Sequence, residues 1–158
     1  MSQACLIRLA MRECWISDIA DFAKYGLLKR LAGNDLRLGV LWYLTTHARP
    51  NQPLVSYLSR PTEYKAYDSE LFDALLGVHR SRPTGATLVD IEQRGVLPAG
   101  TLFHGAPLRT GALARKERGE ARRQWFESAF AATAEASLVF LDPDTGLPAW
   151  STRPKRRR

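Results

Sequence analysis

The chain has 158 residues, of which 45% are apolar and 25% charged, with a net charge of +7. That is enough for one domain with a core and is ordinary for a globular protein. No apolar run approaches the ~20 residues that span a bilayer, and Arg8, Arg12 and Glu13 break up the apolar start, which excludes a convincing signal peptide and leaves a cytoplasmic protein as the expectation.

Residues 1–14 read as an N-terminal extension, and Met11 is a second candidate start. Cys5 and Cys14 match no common zinc spacing, and as a cytosolic pair they are expected to be reduced. From Ser17 the pattern becomes regular. Ser17 or Asp18 can cap a helix through residues 21–31, with Asp21 favourable in its first turn. Phe22, Leu27, Leu28 and Leu31 supply an apolar face, and Gly33-Asn34 is a stop signal. Gly26 inside that helix invites close packing or ligand approach.

Residues 36–44 are the first buried strand. A polar loop with Pro50, Pro53 and Pro61 follows, long enough to suggest a function of its own. Asp68 can cap a helix from Ser69 to about His79, with Leu71, Leu75 and Leu76 inward. Residues 87–91 are a second strand candidate and residues 101–103 a short third. A long helix spans roughly residues 112–134, charged in its first half and apolar on one side in its second, through Trp125, Phe126, Ala129, Phe130 and Thr133.

That helix delivers the chain into residues 137–141, an apolar run that reads as a strand buried on both faces, as in a parallel sheet. Asp142 ends it, and Pro143 and Gly146 turn the chain away. Open α/β sheets place ligands outside the carboxyl ends of their strands, so Asp142 and Asp144 are candidate catalytic residues. They could accept a hydrogen bond from a base amine, bind Mg²⁺ or Mn²⁺ for phosphodiester hydrolysis, or hold a ribose or a substrate amine. They could equally do no more than shape a turn. Asp18, Asp21, Lys24 and Tyr25 form a second constellation, since Asp21 and Lys24 share a helix face. His47, His79 and His104 lack metal-ligand spacing, no phosphate loop or nucleophile elbow is present, and the lone Gly39 in its strand is a weak nucleotide signal.

Basic character is confined to two segments. The tail carries Arg153, Lys155, Arg156, Arg157 and Arg158. Residues 107–124 carry Arg109, Arg115, Lys116, Arg118, Arg122 and Arg123 against Glu117 and Glu120, and the remainder of the chain is net acidic. Of these, Arg115, Lys116, Arg118, Arg122 and Arg123 are candidate nucleic-acid contacts, or a solvated helix face. The expected architecture is a single α/β domain over residues 15–150, Rossmann-like and three-layered, with a mostly parallel sheet and a basic disordered tail at 151–158. The most apolar strand comes so near the C-terminus that the domain reads as truncated there.

Residues 15–28 (Trp-Ile-Ser-Asp-Ile-Ala-Asp-Phe-Ala-Lys-Tyr-Gly-Leu-Leu), 38–44 (Leu-Gly-Val-Leu-Trp-Tyr-Leu) and 138–146 (Leu-Val-Phe-Leu-Asp-Pro-Asp-Thr-Gly) resemble an uncharacterised bacterial family with a DIGDFxKYGLLR opening, an LGVxWYL strand and an FLDPDNG strand end. That family distantly resembles the ribosomal-RNA adenine-N6 methyltransferases. The resemblance implies that Asp21, Lys24 and Tyr25 lie near an S-adenosylmethionine cofactor or the substrate, that Asp142 orients the target amine, and that RNA or DNA is the partner. Two departures stand against simple carry-over. Trp42-Tyr43-Leu44-Thr45-Thr46 replaces the acidic, glycine-rich cofactor loop, and Asp144 and Thr145 replace the second Pro and the Tyr that would stack on a flipped base. A metal-dependent nuclease or phosphoesterase using Asp142 and Asp144, and a non-catalytic nucleic-acid-binding module, remain the alternatives.

Overall fold

The computed structural model describes residues 16–33, 35–44, 53–81 and 87–142. Asp144, His47, the two cysteines, the N-terminal extension and the basic tail all lie outside those residues.

Helix α1 spans Ile19–Ala32. Asp18 is its N-cap and accepts from the Ala20 amide, Asp21 sits in the first turn, and Lys29 and Arg30 in the last, so both ends match the helix dipole. Strand β1 is Leu38–Trp42, buried at every position. Residues 56–59 then make a 3-10 turn, followed by the short helix α2, Pro61–Tyr64, so part of the expected Pro-rich loop is structured. Helix α3 is Ser69–Arg80, capped by the Asp68 carboxylate on the Leu71 amide.

Residues 87–91 do not form a strand. They open helix α4, Leu88–Gln93, through a capping box in which Thr87 and Asp90 satisfy each other's backbone amides. A short apolar run carries no clear period, and the two caps outweigh its β-branched residues. Strand β2 is Leu102–His104. Helix α5 is Glu117–Ala132, starting later than expected, and strand β3 is Leu138–Asp142. The corrected order is therefore α1, β1, α2, α3, α4, β2, α5, β3.

The sheet is parallel throughout, in the order β2-β1-β3, and the protein has an α/β fold. Leu38, Val40 and Trp42 face one way, into a core built with Phe22, Tyr25 and Leu28 of α1, Leu71, Phe72, Leu75 and Val78 of α3 and Ile91 of α4. Leu41 faces the other way, against Trp125 and Ala129 of α5. Helices thus cover both faces, giving three layers. The crossover from β1 to β2 uses the first face and the crossover from β2 to β3 the second. The two also run in opposite directions across the sheet, so they share one hand, as parallel crossovers do.

Strand β3 corrects a second expectation. Its burial alternates, and Val139 and Leu141 are 37% and 42% exposed. Register with β1 puts Leu138, Phe140 and Asp142 on the α1 side and Val139 and Leu141 on the α5 side. Helix α5 packs over β1 and β2, so among the described residues that side of β3 is only partly covered. Phe130 of α5, expected to be inward, is likewise exposed. Apolarity alone does not reveal which neighbour a strand will find.

Gly39 has a packing role. A Cβ there would lie 2.9 Å from the Ala136 Cβ and 3.0 Å from the Thr133 Cβ, so its absence lets the end of α5 sit directly on β1. Gly39→Ala is expected to lower stability by about 1–2 kcal/mol, the overpacking strain exceeding the chain-entropy gain, as a fall in the urea midpoint. An unchanged midpoint would mean that the α5 terminus yields freely. Gly26 is less constrained. A Cβ there would stand 3.5 Å from the Leu71 Cδ2, an ordinary contact between α1 and α3.

Candidate functional site

The start of α1 is held by a short knot of polar contacts. Ser17 is fully buried and takes a left-handed backbone conformation, φ 68°, which costs a non-glycine residue on the order of 1 kcal/mol. Each of its polar groups is engaged. Its amide donates to the Asp21 Oδ2 at 3.1 Å, its hydroxyl to the Leu75 carbonyl at 3.1 Å, and its carbonyl accepts from the Tyr57 hydroxyl at 3.2 Å. Asp18 accepts the Leu54 amide on its second oxygen at 2.6 Å. These bonds set the direction of the Asp21 carboxylate.

One turn later, Lys24 reaches over the sheet. Its Nζ lies 3.0 Å from the Asp21 Oδ1 and donates to both oxygens of Asp142, at 3.1 and 3.0 Å. Asp142 is the last residue of β3, in register with Trp42 at the carboxyl end of β1. Three residues singled out from two distant segments therefore converge on one point. The site is half-open: side-chain exposure is 10% for Asp21, 31% for Lys24 and 26% for Asp142.

Burial dominates the electrostatics of Asp21. Desolvation pushes its pKa up to about 6, the Lys24 ammonium offsets only part of this, and the negative charges of Asp142 and Asp18 add to it. For Lys24, burial works against the charge, yet the pull of Asp21 and then Asp142 outweighs it and the pKa is raised. Tyr25 is in the core, 2% exposed and edge-on to Trp42 at 6.3 Å. Its hydroxyl is held well above the usual range by burial first and then by the two carboxylates. Tyr25 thus forms the floor beneath the site.

In the order β2-β1-β3 the sheet reverses its direction of growth at β1, so the crevice where such sheets take ligands lies between the carboxyl ends of β1 and β3, beside Asp142. The chain leaves β1 toward the α3 face and β2 toward the α5 face. Trp42, at the end of β1, turns into the core, where it stacks on Phe103 at 6.2 Å and donates its indole N–H to the Glu92 Oε1 at 3.0 Å. Glu92 is a half-buried acid that reading residues 87–91 as a strand conceals. Only the Thr87–Asp90 capping pattern could have revealed the helix that carries it.

The basic residues are on the surface. Arg115, Lys116, Arg118, Arg122 and Arg123 are all exposed. Arg123 pairs with Glu120, and the Arg118 Nε donates to the Leu113 carbonyl at 3.0 Å. They flank the N-terminal half of α5, which follows the carboxyl end of β2 and so stands at the same end of the sheet as Asp142. Cations there oppose the helix dipole, with Glu117 and Glu120 as partial compensation.

The described residues fit neither proposed cofactor well. At the end of β1, where the resemblance would place S-adenosylmethionine, Trp42 is turned into the core, and the residues after Leu44 lie outside the described ones. The two converging carboxylates already hold an ammonium, and no group of three or more His, Cys, Asp or Glu that could hold a metal ion occurs among the described residues. No helix among them is long and apolar enough to cross a membrane. In comparisons with known proteins, the chain matches no family model, no curated protein and no solved structure.

Proposed function

We propose that this is a methyltransferase-like protein that binds nucleic acid and recognises an exocyclic base amine at Asp142. One observation carries the reading: three carboxylate oxygens, one from Asp21 and two from Asp142, converge at 3.0–3.1 Å on a single nitrogen donor, the Lys24 ammonium. Such a place accepts N–H donors at the carboxyl end of a parallel sheet, where ligands of this architecture bind. An arriving base amine shares Asp142 with Lys24 or displaces it. The exposed cations beside α5 supply the phosphate attraction that nucleic-acid binding needs. S-adenosylmethionine is the methyl donor the resemblance implies; since the described residues offer it no cradle, base recognition is the part of the reading with geometric support.

Fluorescence anisotropy with oligo(A) and oligo(U) tests this, because adenine carries an exocyclic amine and uracil does not. The wild type is expected to prefer oligo(A), and Asp142→Asn to lose about tenfold of that preference, the value of one hydrogen bond to a charged acceptor. Absence of nucleic-acid binding, or equal affinity for both oligomers, sinks the proposal. Calorimetry with S-adenosylmethionine and with Mg²⁺ then separates a methyltransferase from a nuclease, and binding of neither leaves a recognition module.

A further inference from the structure

The buried histidine between the sheet and α5 belongs to none of this. His104 ends β2 and is 6% exposed. Its Nε2 is 3.2 Å from the Ser128 Oγ of α5, and its ring is edge-on to Trp125 at 5.0 Å. Trp125 in turn donates its indole N–H to the Ala106 carbonyl at 2.6 Å, so the two rings tie the middle of α5 to the loop after β2. The Nδ1 is buried with no hydrogen-bond partner among the described residues.

We propose that His104 is an acid-sensitive latch: the neutral imidazole holds α5 on the sheet, and protonation releases it. The imidazolium has two N–H donors, and among the described residues one acceptor, Ser128, reaches the ring. The second N–H and the added charge would be buried without compensation. The residues placed against the ring are uncharged: Leu41, its register partner on β1, and Ser128 and Trp125 of α5. The ionisable residues on the adjoining part of α5, Arg122, Arg123 and Glu127, are exposed to solvent, and burial is the only cause that moves His104, lowering its pKa. Among the described residues no carboxylate shifts the pKa of the ring, as one would if it were an ion-pair partner.

The consequence reaches the Lys24–Asp142 pair, because α5 covers β1 and leads the chain into β3. Acid release of α5 would remove one of the three layers behind that site.

The test is an NMR titration of the full chain from pH 8 to pH 5, following the His104 ring carbons and the Trp125 indole N–H together. The expected result is a single-proton transition with a midpoint below that of an ordinary histidine. The Trp125 signal should leave its bonded position in step with it, the released fraction rising up to tenfold per pH unit as the pH falls toward the midpoint and levelling off below it. In His104→Gln, whose amide can still accept from Ser128, the Trp125 signal should stay constant over the same range. Titration of His104 at the ordinary value with no response at Trp125 overturns the proposal, as does a Trp125 transition that persists unchanged in His104→Gln. If that variant does not fold, the coincidence or separation of the two wild-type signals decides alone.

Discussion

Asp21→Asn is expected to make the protein more stable at neutral pH and to leave it no more stable at pH 4. Folding raises the Asp21 pKa from 3.8 to about 6, so between those values the folded chain holds a proton that the unfolded chain has lost. The stability this contributes is present in full below the unfolded value and is lost as the pH rises through about 6. Above that pH the ionised carboxylate opposes folding, by an amount on the order of 2–3 kcal/mol. Asparagine keeps an oxygen for the Ser17 amide and carries no charge, so it removes the penalty. Urea unfolding at pH 4 and pH 7.5 checks this. The two proteins should coincide at the lower pH and separate at the higher one, and a variant that is less stable at pH 7.5 would contradict it. A residue that the fold would be better without at neutral pH is the kind retained for function, so the same variant is expected to weaken oligo(A) binding while gaining stability.

Lys24→Met should act in the opposite sense. It leaves Asp21 and Asp142 facing each other with no cation between them. Removing one partner from a fully buried ion pair costs about 3–5 kcal/mol, and exposed pairs are worth about 0–1 kcal/mol. With Lys24 about one-third exposed, a loss of about 2 kcal/mol at pH 7.5 is expected. Much of it should return on acidification, when Asp21 takes up its proton. The more specific readout is Asp21 itself. Its carboxyl carbon should titrate above about 6, because the Lys24 charge and hydrogen bond that lower its pKa are gone. An unmoved Asp21 titration would show that Lys24 does not reach the carboxylates in solution. Because the Lys24 charge no longer offsets the burial of Asp21 once methionine stands at 24, Asp21→Asn should stabilise the Lys24→Met protein by more than it stabilises the wild type, and that excess is the non-additivity that marks direct contact.

Much of the local structure is legible in the chain. Asp18 and Asp68 announce the starts of α1 and α3 because a carboxylate before an apolar-periodic run satisfies free helix amides, and both cap as expected. Residues 38–42 are apolar throughout, which suits a central parallel strand, and β1 is buried at every position. The α/β class follows from these alternations, and Asp142 does stand at a strand's carboxyl end. At Thr87 and Asp90 the capping signal competes with a short β-branched run. There the run misleads, and Glu92 is hidden with the helix that carries it.

What the tertiary structure alone decides is who meets whom. Residues 138–142 are as apolar as β1, yet one is the centre of the sheet and the other has a side only partly covered by the described residues, because α5 lies over β1 and β2. Gly39 looks like a weak nucleotide signal and proves to be the place where α5 touches the sheet. The Lys24–Asp142 pair joins residues 118 positions apart. The resemblance suggests that they share a site, and the layering of α1 over β1 and β3 brings their charges together. Period, caps and turns are local properties that a sequence carries in short windows. Burial, register and the pKa of Asp21 depend on which surfaces the folded layers press together, and no window of residues contains that information.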